Sequence, residues 1–228
     1  MSSQIDEIRE YLYARGGESR SALSEREIAE QFSITRNHAR ELLLELVGEG
    51  VVERHPRSGY NYVSYNDTSV KTAMLLRFVV EEEAAAKAMQ NADREDDVRL
   101  VLACDALKKA AEQKDLPAYA AADRVFHLTL VRASHDNMLI RVFGFLLATL
   151  FRQEALKPCF SEMHTKTQVA HEELVKAFLS RDAKVMLERL KRHLAYPLLK
   201  ERLAELASPL PRKNNEPCGT EGEALFEC

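Results

Sequence analysis

Cysteine is scarce in this sequence and never occurs in a closely spaced pair. The 228 residues contain four cysteines, which are Cys104, Cys159, Cys218 and Cys228. A Cys-x-x-Cys metal or redox motif is therefore absent, and the wide spacing argues against a framework of disulfide bonds. We expect free thiols and a reducing, cytoplasmic environment.

Long apolar runs and a targeting signal are also lacking. The most apolar stretch is Val142–Phe151, whereas a helix that crosses a bilayer needs about 20 apolar residues. No segment of basic and then apolar residues precedes the first predicted helix, Gln4–Ala14, so a secretory signal is not expected. Both absences argue against a membrane protein and favour a cytoplasmic location.

An excess of basic residues, which many nucleic-acid-binding proteins show, is missing as well. The chain has 32 Lys and Arg against 36 Asp and Glu, a formal net charge of −4. Residues 1–66 hold eight basic and eleven acidic residues, a net of −3. Any DNA binding must therefore depend on the local placement of arginines. With 46% hydrophobic and 30% charged residues, the composition is that of a globular protein with a substantial core.

The stretch Thr35–Gly50 carries the clearest pattern in the first part of the chain. Apolar residues recur there at steps of three and four, which predicts a helix with one buried face. They are Ala39, Leu42, Leu43, Leu46 and Val47. Near the helix start, Arg36, Asn37 and Arg40 lie on the opposite face, where they can donate hydrogen bonds to base edges or phosphates.

A second, shorter helix is predicted just upstream, over Leu23–Phe32. Within it, Ser24 and Glu27 have the spacing of a capping box, in which each side chain bonds a free backbone N–H. Only Ser33 and Ile34 separate the two helices. A link of this length is typical of a helix-turn-helix.

A hairpin is predicted after the second helix of this pair. Val51–Arg54 and Tyr60–Val63 alternate between polar and apolar residues like two short strands. The turn between them contains Arg57 and Gly59, so the hairpin would have a basic tip. Helix pairs without a DNA role are common, and it is the order of all these elements together that favours DNA binding.

These segments together resemble the winged helix-turn-helix of GntR-family transcription regulators. The resemblance covers roughly residues 10–63 and rests on Leu23-Ser-Glu-Arg-Glu-Ile-Ala-Glu-Gln31, Thr35-Arg-x-x-x-Arg-Glu-Leu42 and Glu49-Gly-Val-Val52. It implies contacts with operator DNA, and the expected set is Arg26, Thr35, Arg36, Asn37, His38, Arg40, Arg57 and Gly59. Asn37 and His38 replace the small pair that family members often carry, so the resemblance implies DNA binding but does not say which bases are read.

Helix-forming residues dominate from Val70 to about Leu206, where Gly and Pro are rare. Six helices of an antiparallel bundle are predicted, at residues 69–90, 94–113, 116–134, 137–156, 161–180 and 182–206. The polar stretch Ser64–Ser69 marks the predicted domain boundary. The protein is thus expected to be mostly α, with a winged helix-turn-helix domain at 1–66, an all-helical domain at 67–207 and a flexible tail at 208–228.

Asp123 and His127 are four residues apart in the third of these helices, so both side chains lie on one face. His171 and His193 fall on the last two helices. A single helical histidine is more often a surface or core residue than a metal ligand. Three imidazoles and a carboxylate on neighbouring helices instead favour zinc, nickel, iron or copper, and the carboxylate also tolerates manganese. Four protein ligands would leave positions on a six-coordinate ion for a small carboxylate.

The helical half also resembles the FCD effector domain, found in one branch of the GntR family. The matching segments span roughly residues 72–200 and are Arg77-x-x-x-Glu81, Asp123-x-x-x-His127, Ala133-Ser-x-x-Asn137, His171-x-x-Leu-x-x-Ala-x-x-x-x-Asp182 and His193. The resemblance implies a helical bundle around a cavity, a small organic acid as effector, and a divalent ion held by Asp123, His127, His171 and His193. Zinc is the first choice, with nickel, manganese and iron as alternatives. The candidate contacts of the acid are Arg77, Arg152 and Asn137.

The first functional hypothesis is a ligand-responsive, homodimeric transcription regulator and not an enzyme. A two-fold dimer would place two Arg36-bearing helices in successive major grooves of operator DNA. The alternative is a metal-dependent hydrolase or lyase in which the Asp/His cluster activates water. No general base or nucleophile stands out for it, and His171-Glu-Glu-Leu-Val lacks the second histidine of a His-Glu-x-x-His motif. A third hypothesis makes the metal purely structural.

Overall fold

The computed structural model describes residues 4–15, 23–56, 59–63, 67–154 and 160–194. Within these ranges the elements, in chain order, are α1 (Gln4–Arg15), α2 (Glu25–Gln31), α3 (Arg36–Gly48), β1 (Val52–His55), β2 (Gly59–Tyr62), α4 (Asp67–Asn91), α5 (Arg94–Glu112), α6 (Leu116–Arg132), α7 (Asn137–Glu154), α8 (Phe160–Ser180) and α9 (Ala183–Leu194). The predicted fold class is confirmed: a mostly helical protein with a small hairpin after the helix-turn-helix.

The predicted bounds of the helices and strands differ from the observed ones by at most two residues wherever the chain is described. The sixth predicted helix of the bundle is described from Ala183 to Leu194. Its remainder, the tail at 208–228 and residues 64–66 of the predicted boundary lie outside the described residues. The division of the chain into domains therefore stays a prediction.

Side-chain caps hold the two ends of the turn between α2 and α3. The Ser24 hydroxyl accepts a hydrogen bond from the backbone N–H of Glu27 at 3.1 Å. The Thr35 hydroxyl accepts one from the N–H of His38 at 3.2 Å. Each cap satisfies a backbone donor of the first helical turn. Ser33, with a φ of 53°, turns the chain between the two helices.

The hairpin pairs β1 and β2 antiparallel, with Arg54 opposite Tyr60. Leu23 joins it through two backbone hydrogen bonds with Tyr60, of 2.6 and 3.0 Å. The prediction that Leu23 starts the second helix is therefore wrong, because its backbone pairs with the hairpin and the extended Ser24 caps the helix instead. Gly59 has a φ of 86°, and a Cβ there would lie 2.9 Å from the carbonyl oxygen of Leu23. The wing needs glycine at this position.

Helix α7 packs against α4 and α6 in an apolar cluster that includes Phe143 and Leu147. Helices α4, α5, α6, α8 and α9 pack around a separate, shared apolar core. Its larger members are Phe78, Leu100, Leu107, Phe126, Leu174, Phe178 and Leu190. Asp93 and Asp96 form a capping box at the start of α5, and Asp115 caps α6. Among the described residues, no helix is both long enough and apolar enough to cross a membrane.

Three helices of this bundle, α4, α6 and α8, run in the same direction. The residues at their carboxyl ends meet at one end of the bundle. Asn91 Nδ2 of α4 donates to the carbonyl oxygen of Ser134, just beyond α6, at 3.0 Å. Arg181 Nη2, just beyond α8, donates to the carbonyl oxygen of Ala92 at 3.2 Å. Side chains on equivalent turns of the three helices therefore lie at the same level of the bundle.

The helix-turn-helix unit contacts the bundle through α6 and α7. Arg124, on α6, is buried, with 8% of the residue exposed. Its guanidinium group donates to the carboxylate of Glu10 and lies 4.8 Å from the ring centroid of Tyr13. Burial raises the pKa of Tyr13 to about 12. Gly50 makes the second contact, since a Cβ there would lie 2.7 Å from the ring of Phe145 on α7. Its φ of 74° is a left-handed conformation that glycine adopts readily at the end of a helix.

Candidate metal centre and DNA-binding surface

The four predicted metal ligands meet inside the bundle. Asp123 and His127 lie one helical turn apart on α6, while His171 and His193 reach the same point from α8 and α9. The side chains of His127 and His171 have no exposed surface, and Asp123 retains 14%. Packing of the three helices thus brings together groups that are far apart in the sequence.

The Nε2 atoms of the three histidines face one another. His127 Nε2 is 3.1 Å from the Nε2 of His193 and 3.4 Å from that of His171. Asp123 Oδ1 lies 3.0 Å from His171 Nε2 and 3.7 Å from His127 Nε2. The three nitrogen atoms therefore lie close to one another, and the carboxylate oxygen lies close to two of them.

These spacings fit a divalent metal ion. Two nitrogen ligands about 2.1 Å from an ion are about 3.0 Å apart at a right angle and about 3.4 Å apart at a tetrahedral angle. The nitrogen–nitrogen distances of 3.1 and 3.4 Å fall in this range. Three imidazoles with one carboxylate are also a donor set that zinc, nickel, iron or manganese accepts. The residues present therefore fit the ion that the sequence predicts.

Glu81 of α4 decides which nitrogen of His127 faces the centre. His127 Nδ1 lies 2.6 Å from Glu81 Oε2, and with the carboxylate ionised the Nδ1–H group donates a hydrogen bond to it. Nε2 then keeps its lone pair for a metal. Arg77 Nε donates to the other carboxylate oxygen, Glu81 Oε1, at 2.6 Å. Carboxylates commonly orient metal-bound histidines in this way.

The protonation states favour metal binding. Burial raises the pKa of Glu81, but the neighbouring imidazole and guanidinium groups lower it by more, so the carboxyl stays ionised. Burial likewise opposes ionisation of Asp123, yet the adjacent histidines hold its pKa below the ordinary value. Burial lowers the pKa of His127. Burial, followed by the other two imidazoles, lowers that of His193 well below its usual value. Neutral imidazoles and ionised carboxylates are the forms that bind metals.

The start of α3 presents its arginines to solvent. The side chains of Arg36 and Arg40 are 72% and 53% exposed, and their Nε atoms lie 3.5 and 3.9 Å from carboxylate oxygens of Glu25. Arg26 is also exposed and pairs with Glu30 at 3.2 Å. Exposed ion pairs such as these contribute little to stability. The guanidinium groups can therefore exchange these partners for phosphates or base edges.

Other residues of the predicted DNA-binding set have different surroundings. Asn37 is exposed on the first turn of α3. His38 Nε2 lies 3.0 Å from Gln4 Oε1, which ties α3 to α1. Thr35 caps α3 with its hydroxyl, and Gly59 supplies the backbone conformation of the wing. The exposed part of the set therefore surrounds the amino end of α3.

Family sequence profiles match both halves of the chain. The profile of bacterial regulatory proteins, gntR family, matches residues 5–61. That of the FCD domain matches residues 73–196, which is more than half of the chain. The chain belongs to the GntR family. It is a DNA-binding transcription regulator of that family with an FCD domain.

Similar proteins agree with this assignment. The GntR regulator is 25% identical over 208 residues to the Uxu operon transcriptional regulator of Escherichia coli strain K12, covering 81% of this chain and 78% of that protein. Escherichia coli McbR/YncC has the same fold, with a TM-score of 0.69 at 20% identity over 90% of this chain and 98% of that one. The transcriptional regulator GntR from Rhodococcus sp. RHA1 has a TM-score of 0.67 at 18% identity, covering 89% and 99% of the two chains.

Two of the three residues predicted to bind the effector are described, and they have different surroundings. Arg77 is buried and binds Glu81 beside the histidines. Asn137 is exposed at the first residue of α7. The side chain of Arg152, like the wing residue Arg57, lies outside the described residues. The roles of these residues in effector or DNA binding therefore stay predictions for the GntR regulator.

Sequence reasoning gave Glu81 no role, although it lies in the Arg77-x-x-x-Glu81 segment. A signal was available. Arg77 and Glu81 are four residues apart, and the small apolar run Ala84–Ala88 continues the same helix. Small apolar residues on a helix indicate close packing against its neighbours, and a charged pair buried there needs polar partners on those neighbours.

Proposed function

We propose that this GntR regulator binds a divalent metal ion and senses a small organic acid at that ion, with a change in operator occupancy as the result. The proposed ligands are Asp123, His127, His171 and His193. The observation that carries the proposal is the convergence of three histidine Nε2 atoms, two of them on fully buried side chains, with one carboxylate oxygen close to two of them. Three nitrogen ligands and one oxygen ligand make zinc the first choice, with nickel, manganese and iron as alternatives.

A carboxylic acid is the class of effector that such a centre favours. The bound ion supplies positive charge, which attracts a carboxylate strongly where water is largely excluded. Four protein ligands leave further positions on an ion that takes more than four. The side chain of Asp123 is 14% exposed, so solvent reaches the metal centre next to this residue. An acid would approach from there.

DNA binding is proposed for the exposed amino end of α3 and for the wing. The residues are Arg26, Thr35, Arg36, Asn37, His38, Arg40, Arg57 and Gly59. No acidic residue lies in the first turn of α3, and the positive end of a helix attracts phosphate. Arg36 and Arg40 would supply both phosphate contacts and base contacts. Because the ligand is operator DNA, the protein would act in the bacterial cytoplasm.

The proposed functional unit is a homodimer. Regulators of this family are typically dimeric. In α4 the apolar side chains of Leu76 and Val79 are exposed, and in the adjacent α7 those of Met138, Val142 and Phe145 are exposed as well. Exposed apolar groups on neighbouring helices support burial against a second copy of the chain. A two-fold dimer would present two α3 helices to a palindromic operator.

Arg124 is the proposed link between the metal centre and the DNA-binding unit. It follows Asp123 directly in α6, so one helix carries both a metal ligand and a contact to α1. Arg9 of α1 forms a bidentate ion pair with Glu49, at the end of α3. Its Nε and Nη2 atoms lie 2.7 and 2.8 Å from the two carboxylate oxygens. A shift of α6 on acid binding would therefore reach α3 through α1. Such coupling requires that the acid binds one arrangement of α6, α1 and α3 more tightly than another.

The metal assignment is tested with the double variant His127→Ala/His193→Ala. Metal content is measured after dialysis against a limiting zinc concentration. The wild type is expected to retain about one ion per chain, and the variant close to none, because three ligands are needed for tight binding. His55→Ala, in the exposed wing, is the matched control. Equal metal content in the wild type and the double variant would show that the cluster does not bind metal.

The alternative function, a metal-dependent hydrolase or lyase, is tested with the acids themselves. Zinc-loaded protein is titrated with a panel of small carboxylic acids, and both the unfolding temperature and the acid concentration are followed. A regulator is stabilised by mass action and leaves the acid unchanged. Consumption of the acid would support the enzyme instead.

A further inference from the structure

Phe145 of α7 is half-exposed, yet one edge of its ring touches the helix-turn-helix unit. The residue is 48% exposed. A Cβ atom at Gly50 would lie 2.7 Å from Cε2 and 2.9 Å from Cδ2 of the ring, so the ring edge lies directly against the glycine backbone. A side chain at position 50 would displace the ring, and the φ of 74° disfavours one as well. The glycine and the ring edge therefore fit closely together.

The bundle holds its side of this contact firmly. On α7, Phe143, Leu146 and Leu147 are buried in the apolar cluster with α4 and α6. Phe145 lies between them in the sequence, so the backbone that carries its ring is fixed by close packing. The ring is therefore a well-placed support for whatever lies against it.

The other side of the contact is the carboxyl end of α3. Gly50 follows Glu49, the C-cap of α3, whose carboxylate pairs with Arg9 of α1. Helix α1 in turn contacts Arg124 of α6. The helix-turn-helix unit thus meets the bundle at two places, α1 on α6 and Gly50 on Phe145. With one of these contacts alone the unit could pivot, and the second contact fixes its angle.

Helix α3 converts this angle into a position on DNA. It has 13 residues, with Arg36 at the end far from Gly50, and it is therefore about 18 Å long from first residue to last. A tilt of about 10° at the Gly50 end moves the Arg36 end by about 3 Å, which is close to the rise of about 3.4 Å per base pair. A small change at Phe145 would therefore move the DNA-contacting residues by one base-pair step.

We propose that Phe145 sets the spacing between the two half-sites of the operator by holding α3 at one angle to the bundle. This inference rests on the proposed homodimer and gives a positioning role to a residue outside the DNA-binding surface. In a two-fold dimer the distance between the two α3 helices depends on this angle in both copies. Loss of the ring widens the range of spacings and leaves the half-site sequence unchanged, because Arg36, Asn37 and Arg40 are untouched.

The test is a parallel selection from a random-sequence DNA library by the wild type and by Phe145→Ala, followed by sequencing. The wild type is expected to enrich inverted half-sites at one spacing. The variant is expected to enrich the same half-site at several adjacent spacings. Fluorescence anisotropy then compares the best wild-type fragment with a fragment that has one base pair inserted between the half-sites. The ratio of the two affinities should fall towards one in the variant, whereas a merely destabilised protein loses affinity for both fragments equally.

Two further variants accompany Phe145→Ala. Leu102→Ala removes another exposed apolar side chain, on α5, which packs against α6 and α8, and it should keep the wild-type spacing. Gly50→Ala keeps Phe145 whole and disturbs the contact from the other side, so the favoured spacing should shift or broaden. Analytical ultracentrifugation shows whether each variant is a dimer. If Phe145→Ala does not fold or dimerise, Gly50→Ala decides, because its exposed face of α7 is unaltered.

The outcomes separate this inference from the homodimer on which it rests. An unchanged single spacing in dimeric Phe145→Ala, or in Gly50→Ala where Phe145→Ala is not a dimer, overturns the role of Phe145 and leaves the homodimer in place. A changed half-site sequence in Phe145→Ala also overturns it, because the ring would then affect base recognition itself. Enrichment of single half-sites by the wild type overturns the homodimer on DNA and this inference together.

Discussion

His127 Nδ1 and Glu81 Oε2 lie 2.6 Å apart inside the bundle, although the two residues are 46 positions apart in the sequence. The contact joins α6 to α4. Arg77 binds the other oxygen of the same carboxylate, so the anion is held on both sides. One imidazole is thereby fixed in a single tautomer with Nε2 directed at the other histidines. A ligand that is already oriented loses less freedom when an ion binds.

Glu81→Gln tests this arrangement because it keeps the shape of the side chain and removes its charge. We expect zinc affinity to fall by about 10- to 100-fold, as is usual when the partner of a metal-bound histidine is changed. Calorimetry with Zn²⁺ at pH 7 measures the loss. Glu83→Gln, on the exposed face of α4, where Glu83 pairs with Lys87 at 3.6 Å, is the control and should bind normally. Equal affinity in both variants would contradict a role for Glu81 in holding His127.

The metal-free protein is expected to lose stability as the pH falls from about 7 to 5. Burial, followed by the other imidazoles, lowers the pKa of His193 well below its ordinary value of 6.5. Near pH 6 the unfolded chain therefore binds a proton at His193 that the folded chain does not bind. The stability that this residue contributes is complete above about pH 6.5 and is lost as the pH falls towards the folded pKa.

Urea unfolding of the metal-free protein at several pH values measures this loss. His193→Gln should flatten the dependence between pH 7 and 5, because the titrating group is gone. Saturating zinc should also hold the protein folded to lower pH in the wild type, since the ion competes with protons for the imidazoles. A pH dependence that is identical in the wild type and His193→Gln would show that this histidine is not held neutral by the fold.

Arg36→Ala and Arg40→Ala are each expected to weaken binding to the best operator fragment by about 1–3 kcal/mol where the arginine contacts a base. Loss of a phosphate contact would instead weaken binding to all sequences and reduce the salt slope by about one. Fluorescence anisotropy at several salt concentrations distinguishes these cases. Arg99→Ala is the control, since Arg99 is exposed on α5 and pairs with Glu95. Unchanged DNA binding in both α3 variants would contradict the DNA-binding surface.

Local patterns in the sequence predicted the elements of this fold well, because helix ends depend on nearby residues. Ser24, Thr35, Asp93 and Asp115 each cap the helix that follows them. Pairing between distant segments was not predictable in this way. The backbone of Leu23 pairs with that of Tyr60. An apolar residue before a helix cap does not by itself predict a β-bridge to a residue 37 positions later.

The candidate site shows the same limit. The spacing of Asp123 and His127 indicates a shared helix face, whereas the inclusion of His171 and His193 depended on the expectation that their helices are neighbours and on the family resemblance. The contact of Glu81 with His127 depends on which turns of α4 and α6 lie side by side. That alignment depends on how the helices pack together, and the spacing of residues along the sequence does not predict it.

Arg124→Met is expected to separate acid binding from DNA binding without abolishing either. The variant keeps the apolar stem of Arg124 but loses its ion pair with Glu10 and its contact with Tyr13. Binding of an effector typically changes the affinity of a regulator for its other ligand, here DNA, by about 5- to 150-fold. We expect this factor to fall towards one in the variant. DNA affinity is measured with and without saturating acid, and acid affinity is measured separately. Arg132→Met, at the exposed end of α6, is the control and should respond like the wild type. A full response to the acid in Arg124→Met would show that the signal takes another route, such as the contact of Gly50 with Phe145.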